Sequence, residues 1–253
     1  MTMKPAQASA LLHTPASGVS FNPARGFEMR RVTTLADWAD ARAVRYAALL
    51  GRSEIAVNEE RAFGDAYDTA LNALTFVLSR NRRVLGSTRS GVSSASRHWP
   101  LPAMEAFERE IRTTIGVDST IVEASLTVVA PDSPMDPKTA LFHLFKAHMV
   151  HCAAENADWL LVAVRDTQIG FYRRMFNMEI LSGKEKYPGL AAPRVLMGLD
   201  YRAQASLLFK RMPVLAVTDE DERDFATSGV ITFGNARRTL PKREGAARLV
   251  AGD

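Results

Sequence analysis

The stretch from Ala157 to Tyr201 constrains the fold of this 253-residue chain more than any other. It opens with a short apolar run of β-forming residues, which predicts a buried strand. A segment with helical spacing of apolar residues follows, and Asn177 breaks that pattern. The predicted elements are, in order, strand 159–164, helix 167–175, strand 178–181, a polar loop and strand 194–201. The stretch therefore predicts a strand and a short helix that lead into a β-hairpin.

Strands and helices are also predicted upstream of this stretch. Thr34 is a good N-cap for the first helix, Gly51 ends that helix, and Asn81-Arg82 forms the turn of a hairpin. The predicted strands are 28–33, 74–79, 83–90 and 120–129, and the predicted helices are 35–50, 104–115, 138–156 and 203–211.

The two ends of the chain differ from its middle. Residues 1–26 hold prolines and glycines among small side chains, which predicts a flexible N-terminal arm. We assign residues 27–212 to one domain and residues 213–253 to a C-terminal extension, where the periodic signal fades. Within that extension, residues 229–234 are the only predicted strand.

Composition limits the compartment and the partners. The single cysteine, Cys152, excludes an internal disulfide and suits a reducing cytoplasm. No apolar run approaches the length of a membrane span, and the N-terminus lacks the apolar core of a signal peptide, so we expect a cytoplasmic protein. The net charge of +4 permits a carrier protein, nucleic acid or anionic lipid as partner without selecting one.

Two segments of the opening stretch carry a resemblance to a known family. The phrase FYRRMFNM, 171–178, resembles the aryl-Tyr-x-(Lys/Arg) segment of GNAT acyltransferases. The loop KYPGLAAPRVLM, 186–197, is similar to that of N-acyl amino acid synthases and acyl-homoserine-lactone synthases. The order of elements over residues 28–201 also matches a GNAT domain. The resemblance implies an α/β (α+β) fold with a mixed central sheet, helices on both faces, and acyl chains taken from acyl carrier protein.

Amide formation from a thioester needs a base for the amine, a donor for the carbonyl oxygen and an acid for the leaving thiolate. In the GNAT fold these groups gather where two central parallel strands separate, here 120–129 and 159–164. Glu123 lies within a β-branched run, where a carboxylate is costly unless it is paired or faces a cavity. Glu123 and Ser125 resemble the Glu-x-Ser-Arg phrase of the synthases, with Leu126 in place of the arginine, which implies catalytic roles for the two residues.

The resemblance leaves the role of Glu123 open. It is a base that acts directly or through water, an anchor for the substrate ammonium, or the partner of Arg89 in a structural ion pair. Tyr172 falls at the GNAT position whose phenol protonates the leaving thiolate. A core aromatic with a satisfied hydroxyl is the alternative for Tyr172.

Four residues resemble the substrate site of the family. Arg89, in VLGSTRS, pairs with Glu123 or binds the carboxylate of an amino acid through its bidentate fork. Asp65 and Asp68, in DAYD, match an aspartate pair that helps to form the substrate site, and Arg45 matches an arginine that orders the N-terminal part. The alternatives are solvated charges in a loop, at a strand end and on a half-exposed helix face.

The segment before helix 138–156 bears on the acyl donor. GNAT members that use CoA carry a glycine-rich loop whose N–H groups cradle the pyrophosphate. This chain has PDSPMDPKTALF, with no glycine, prolines that remove donors and aspartates that repel phosphate. We therefore expect acyl-phosphopantetheine on acyl carrier protein as co-substrate, rather than acyl-CoA. The expected docking surface is basic and comprises Lys138, Lys146, Arg173 and Arg174, with Lys184 and Lys186 nearby.

Helix 138–156 also carries His143, His148, His151 and Cys152, of which the last three share one face. That spacing suits a metal, but no acidic partner or CxxC pattern supports one, so we expect a packed or solvated helix and no metal.

The sequence thus predicts an N-acyltransferase that moves an acyl chain from acyl carrier protein to the amino group of an amino acid or related amine. No nucleic acid partner and no permanently bound cofactor are expected. Apolar residues around Phe76, Val122, Phe142 and Phe171 are candidates for the acyl tunnel. The alternatives are a catalytically inactive scaffold that binds a carrier or another protein, and an acyl-homoserine-lactone synthase.

Overall fold

An eight-stranded mixed sheet organises the protein. The computed structural model describes residues 27–233, and the predicted N-terminal arm and the last twenty residues of the predicted extension, 234–253, lie outside the described residues. The strands are β1 Phe27–Arg31, β2 Ala73–Arg80, β3 Arg83–Ser93, β4 Ile121–Val129, β5 Trp159–Val164, β6 Glu179–Glu185, β7 Arg194–Asp200 and β8 Val230–Thr232. Their order across the sheet is β6-β7-β5-β4-β3-β2-β1-β8. Among the strands described, only β4 and β5 pair in parallel.

Helices cover both faces of the sheet, as predicted. They are α1 Leu35–Leu50, α2 Pro102–Glu110, α3 Pro137–Ala154, α4 Ile169–Phe176, α5 Tyr201–Arg211 and α6 Asp219–Thr227. Thr88 and Ser90 of β3 bond His148 and His151 of α3, each over 2.7 Å, whereas Arg89 between them points to the opposite face. Because side chains alternate along a strand, α3 lies on one face, and α1 and α2 lie on the other.

The two parallel strands separate partway along their length. Their pairing runs from Ile121 opposite Trp159 to Ala124 opposite Val162, and β4 then continues without β5. Leu126, just past the last pair, has a φ of 48°, and the register of β4 with β3 shifts nearby. A left-handed residue in a strand marks a bulge that bends the chain. The sheet therefore has an opening beside Ser125, where the resemblance places the chemistry.

Local signals in the sequence explain the element boundaries. Thr34 caps α1 with a capping box that includes Asp37, and Gly51 follows the helix. Asn81 and Arg82 both have positive φ, the geometry of a two-residue hairpin turn between β2 and β3. The helix predicted over 104–115 begins earlier, at Pro102, and its last five residues form a π-helical turn.

The first part of the predicted extension folds against the sheet. A 3₁₀ turn over Pro213–Leu215 leads to α6, and β8 pairs antiparallel with β1 inside the predicted strand 229–234. Phe225 of α6 stacks on Phe76 at a centroid distance of 6.0 Å. Helix α6 was not predicted because it begins with four acidic residues and shows no apolar period. No helix within residues 27–233 has the length and apolar character needed to cross a bilayer.

Candidate active site

Glu123 is the third residue of β4, and its side chain is completely buried on the α2 face. Its Oε1 accepts a 2.5 Å hydrogen bond from the Tyr187 hydroxyl, and its Oε2 accepts a 3.0 Å bond from the Ala103 N–H. Burial raises the pKa of Glu123 to about 7, although these two hydrogen bonds and the charge of Arg89 act in the opposite direction. The carboxyl group can therefore gain and lose a proton near neutral pH.

The start of α2 supplies one of the two donors. Leu101 is its N-cap and provides no side-chain bond, and Pro102 at the first position has no N–H to satisfy. The next N–H, that of Ala103, is free to donate to Glu123 across the helix terminus. Glu123 thus caps α2, and the positive end of the helix dipole favours its carboxylate form.

Tyr187 reaches Glu123 from the loop between β6 and β7. The loop is held by Glu54, whose carbonyl accepts from the Ala191 N–H at 2.9 Å and whose buried carboxylate pairs with Arg194 at 2.7 Å and Arg165 at 2.5 Å. Burial, followed by the charge of Glu123, raises the pKa of Tyr187 well above its ordinary value. The phenol therefore keeps its proton and acts as a donor.

Arg89 lies beside Glu123 on the neighbouring strand and is almost completely buried. Its Nη2 donates to Asp65 Oδ2 at 3.0 Å, and its Nη1 donates to Asp65 Oδ1 and, at 3.1 Å, to Asp68 Oδ1. Its Nε donates to Ser125 Oγ at 3.0 Å. Burial alone would lower the pKa of Arg89, but the two aspartates raise it above its ordinary value. The interpretation of Arg89 as the ion-pair partner of Glu123 is wrong, since its partners are Asp65 and Asp68.

Arg45 of α1 joins this network through Asp68. Its Nη1 donates to both oxygens of Asp68 at 2.8 and 2.9 Å, and its Nη2 donates to Thr75 Oγ1 at 3.1 Å. The side chains of Arg45 and Asp68 are fully buried. Two guanidinium groups thus face two carboxylates, with Asp68 shared between the arginines. The structure brings together Arg45, Asp65, Asp68, Arg89, Glu123 and Ser125, all singled out from the sequence.

A small cavity joins Glu123 to Arg89. It measures about 10 Å³, which is room for about one water molecule, and is lined by Tyr67, Ala70, Asn72, Ala73, Arg89, Gly91, Pro100, Leu101, Pro102, Glu123 and Ser125. Tyr67 lies at its edge, where its hydroxyl donates to Glu105 Oε2 of α2 at 2.7 Å and its ring lies 5.6 Å from the Arg89 guanidinium carbon. The site is therefore closed, with polar groups and little free space.

Tyr172 lies apart from this cavity. It packs on the α3 face with Phe145 and Phe176, at centroid distances of 5.7 and 5.5 Å, and belongs to the apolar cluster that includes Ala124 and Val162. Burial raises its pKa to about 12. Tyr172 and Glu123 thus approach the opening of the sheet from opposite faces, and Tyr187 is the phenol that contacts Glu123.

The predicted carrier-docking residues divide into two groups. Lys138, Arg173 and Arg174 are exposed. Lys146 is buried instead, because its Nζ pairs with Asp221 of α6 at 2.8 Å and also donates to the Ala216 carbonyl. Lys146 holds the C-terminal segment against α3, so its placement on a docking surface is wrong.

The histidines of α3 are packed within the fold. Thr88 and Ser90 bond His148 and His151, and burial lowers their pKa values to about 3 and about 4. Across residues 27–233, no three His, Cys, Asp or Glu side chains form a group suited to a metal ion.

Tyr187 is the site residue that the sequence analysis missed. Its loop carried the resemblance to the synthase branch, but nothing in the sequence indicated that the phenol turns inward. The available signal was an aromatic residue in a polar loop, followed by Pro188 and Gly189.

The fold and the site together define a GNAT-type acyltransferase. Two parallel strands separate at the centre of a mixed sheet, and a buried carboxyl that ionises near neutral pH lies beside the opening. Comparison with protein families narrows the class. The model of N-acyl amino acid synthase FeeM matches residues 40–200, and the chain belongs to this family of N-acyltransferases.

Solved structures of relatives share the fold. FeeM, an N-acyl amino acid synthase from uncultured soil microbes, matches with a TM-score of 0.59 and 17% identity over 74% of this chain and 98% of that chain. BjaI, a CoA-dependent acyl-homoserine lactone synthase bound to SAM and isopentyl-CoA, matches with a TM-score of 0.54 and 14% identity over 74% of this chain and 90% of that chain. TofI, in a ternary complex with an inhibitor and MTA, matches with a TM-score of 0.52 and 16% identity over 75% of this chain and 99% of that chain. None of the curated protein sequences compared with the chain matches it.

Proposed function

We propose that the protein transfers an acyl group from the phosphopantetheine thioester of an acyl carrier protein to the amino group of an amino acid. The main support for the proposal is the state of Glu123. Its carboxyl group is fully buried, lines a cavity and has a pKa of about 7. A general base works best when its pKa lies near the working pH. A carboxyl group with only a structural role has no need of a pKa near the working pH.

The reaction proceeds as an aminolysis. Glu123 removes a proton from the substrate ammonium, directly or through the single water that the cavity can hold. The free amine attacks the thioester carbonyl and forms the C–N bond, and the C–S bond breaks. The thiolate takes up a proton, and the nitrogen releases its second proton, which replaces the one given to the thiolate. Backbone N–H groups of β4 beyond Ala124, where β5 no longer pairs, are the proposed donors to the oxyanion. The Tyr172 phenol is the proposed acid for the thiolate, and Ser125 assists by fixing Arg89.

The N-terminus of α3 supports a carrier protein rather than CoA as donor. Asp136 caps this helix by accepting bonds from the Thr139 N–H at 2.9 Å and from the Thr139 hydroxyl at 3.0 Å. The bond from the Thr139 N–H is the largest influence that lowers the pKa of Asp136. Pro137 at the first helical position contributes no N–H. A pyrophosphate needs free N–H groups at a helix N-terminus. Here it would meet the negative charge of Asp136, and the Thr139 N–H already donates to that carboxylate.

The proposed docking surface consists of the exposed Lys138, Arg173 and Arg174. Arginine and lysine on a surface attract an acidic partner and speed its association. The acyl chain is proposed to enter the apolar cluster that includes Val122, against which Phe142 and Phe171 pack and stack on each other at 6.4 Å. Phe76 belongs to a different cluster, beneath β1 and β2, so we leave it out of this path.

A second candidate is a scaffold that binds an acyl carrier without catalysis. The cavity beside Glu123 favours it, because about 10 Å³ holds no amino acid unless the site opens. The two candidates differ in what a purified protein produces. The test mixes the chain with an acyl carrier loaded with a long acyl chain and with the twenty amino acids, and follows products by mass spectrometry.

The proposal expects one or more N-acyl amino acids from wild type and none from Glu123→Gln. Replacing the acyl carrier with the matching acyl-CoA is expected to reduce the rate at least tenfold. Carrier binding without product formation would favour the scaffold.

A further inference from the structure

We propose that Asp65 occupies the place of the acceptor's own carboxylate on Arg89, and that an α-amino acid displaces it to reach the site. This inference rests on the proposed function, because it names what the acceptor must carry. It makes Asp65 a specificity-determining residue that selects amino acids over amines lacking a carboxylate.

The geometry of Arg89 distinguishes an inner side from an outer side. On the inner side, Nε donates to Ser125 and Nη1 donates to Asp68. On the outer side, Nη1 and Nη2 together grip both oxygens of Asp65. This two-point contact is the one that a guanidinium group makes with any carboxylate, including that of a free amino acid.

Asp65 is the replaceable member of the pair. Its side chain is 20% exposed, whereas that of Asp68 is fully buried and is held by Arg45 as well. Asp65 lies at the start of a four-residue 3₁₀ turn, and its Oδ1 also accepts a 3.0 Å bond from the Tyr67 N–H. Asp68 lies within the same turn, so Asp65 leaves by rotation of its own side chain, which keeps the inner bonds of Arg89 intact.

Charge balance explains why the incoming group must be an anion. Arg45 and Arg89 are compensated by Asp65 and Asp68. If a substrate carboxylate replaces Asp65, the balance is kept. An amine without a carboxylate that displaced Asp65 would leave a buried guanidinium group undercompensated, which is costly.

The position of Glu123 fits the other end of such an acceptor. Glu123 and Arg89 line the same cavity, and the register places Ser125 opposite Arg89 and Gly91 opposite Glu123. In an α-amino acid one carbon separates the carboxylate from the amine. A carboxylate on the outer side of Arg89 therefore directs the amine into the cavity. The Tyr67 side chain, whose hydroxyl donates to Glu105, lines the same cavity and must rotate away to admit the acceptor.

The first test uses chemical rescue and needs no acyl transfer. Asp65→Ala removes the carboxylate, and acetate then has a site on Arg89. We expect sodium acetate to raise the Tm of Asp65→Ala by several degrees more than sodium chloride of equal ionic strength does. Wild type and Asp132→Ala, which loses an exposed pair with Arg83, should respond equally to both salts. An equal response of Asp65→Ala to the two salts would overturn the proposal.

The second test compares an amino acid with its decarboxylated form, for example phenylalanine with phenethylamine. This test uses Asp65→Asn, which keeps the shape of the side chain and can be used even if the alanine variant does not fold. The amide is uncharged, so it competes less well with a substrate carboxylate for Arg89. We expect it to lower KM for the amino acid about tenfold with little change in kcat, and to leave phenethylamine a poor substrate. A higher KM for both compounds would instead make Asp65 a ligand for the ammonium. If wild type acylates none of the twenty amino acids, the proposed function fails, while the acetate result still decides whether Arg89 accepts a carboxylate.

Discussion

The Tyr187 hydroxyl donates a 2.5 Å hydrogen bond to Glu123 Oε1, and this bond ties the loop between β6 and β7 to β4. Both groups are buried, so neither exchanges this partner for bulk water. The bond favours the carboxylate form and opposes the effect of burial on the pKa of Glu123. The pKa of the proposed base thus reflects a balance between burial and the groups that favour its charged form, of which the Tyr187 phenol has the largest effect.

Tyr187→Phe is expected to shift the pH dependence of acyl transfer. Loss of the donor removes an influence that lowers the pKa of Glu123, so that pKa rises above about 7. Since the base must be ionised, the acidic limb of the kcat/KM profile should move to higher pH. Tyr201→Phe is the matched control, because it removes a phenol bonded to the Met149 carbonyl far from Glu123. An unshifted limb in Tyr187→Phe would contradict this role of the phenol.

Glu123 should make the folded protein less stable as the pH rises. Its pKa is about 7 in the folded state against an ordinary value of 4.5, so the folded state binds more protons between these values. Stability from this group is therefore present at low pH and is lost as the pH rises through 7, by roughly 3 kcal/mol. Glu123→Gln cannot ionise and should lack this contribution.

The measurement is urea unfolding of both proteins at pH 5 and pH 8. The free energy of unfolding of wild type, relative to Glu123→Gln, should fall over this interval. Parallel pH profiles would mean that Glu123 ionises at an ordinary pKa.

Asp68→Ala should be strongly destabilising. It leaves Arg45 buried with only Thr75 as a side-chain acceptor, and loss of one partner of a buried ion pair costs about 3–5 kcal/mol. Asp132→Ala breaks an exposed pair with Arg83 and should cost about 1 kcal/mol or less. Chemical denaturation of the two variants tests the contrast. Equal costs would show that burial of the Arg45 pair contributes little.

Substitutions of basic residues distinguish the proposed docking surface from the buried Lys146. Arg173→Glu with Arg174→Glu should weaken binding of an acyl carrier at least tenfold, and the difference should shrink with added salt because exposed charges are screened. Lys146→Met should instead lower stability, since it leaves Asp221 without its ion-pair partner, while carrier affinity stays close to wild type. Calorimetric titration with the carrier measures the affinity of both variants, and urea unfolding measures the stability of Lys146→Met. Unchanged affinity in the double arginine variant would place the carrier elsewhere.

Local sequence signals predicted much of the fold. The cap at Thr34, the turn at Asn81-Arg82 and the β-branched run around Glu123 act over a few residues, so they can be read without the tertiary structure. Glu123 was predicted for a similar reason, because a charged side chain in an apolar run needs a partner. Arg89 and Ser125 were predicted from the resemblance to the family.

The remaining features depend on contacts between distant segments. Tyr187 meets Glu123 across 64 positions of the chain, and Lys146 meets Asp221 across 75. The sequence presented Lys146 as one more surface cation because its burial depends on α6, whose acidic start carries no apolar pattern. A pair between Arg89 and Glu123 was one of the predicted alternatives because the two lie on neighbouring strands, whereas the loop that brings Asp65 and Asp68 decides the pairing of Arg89.

The most direct test of the account is mass spectrometry of lipid extracts from cells that overexpress the chain, compared with cells that overexpress Glu123→Gln. We expect new N-acyl amino acids with wild type and a loss of at least about 100-fold in the variant, the usual scale for removal of a general base. Urea unfolding must first establish that the variant is folded. Equal amounts of the same N-acyl amino acids from wild type and a folded Glu123→Gln variant would contradict the central role of Glu123.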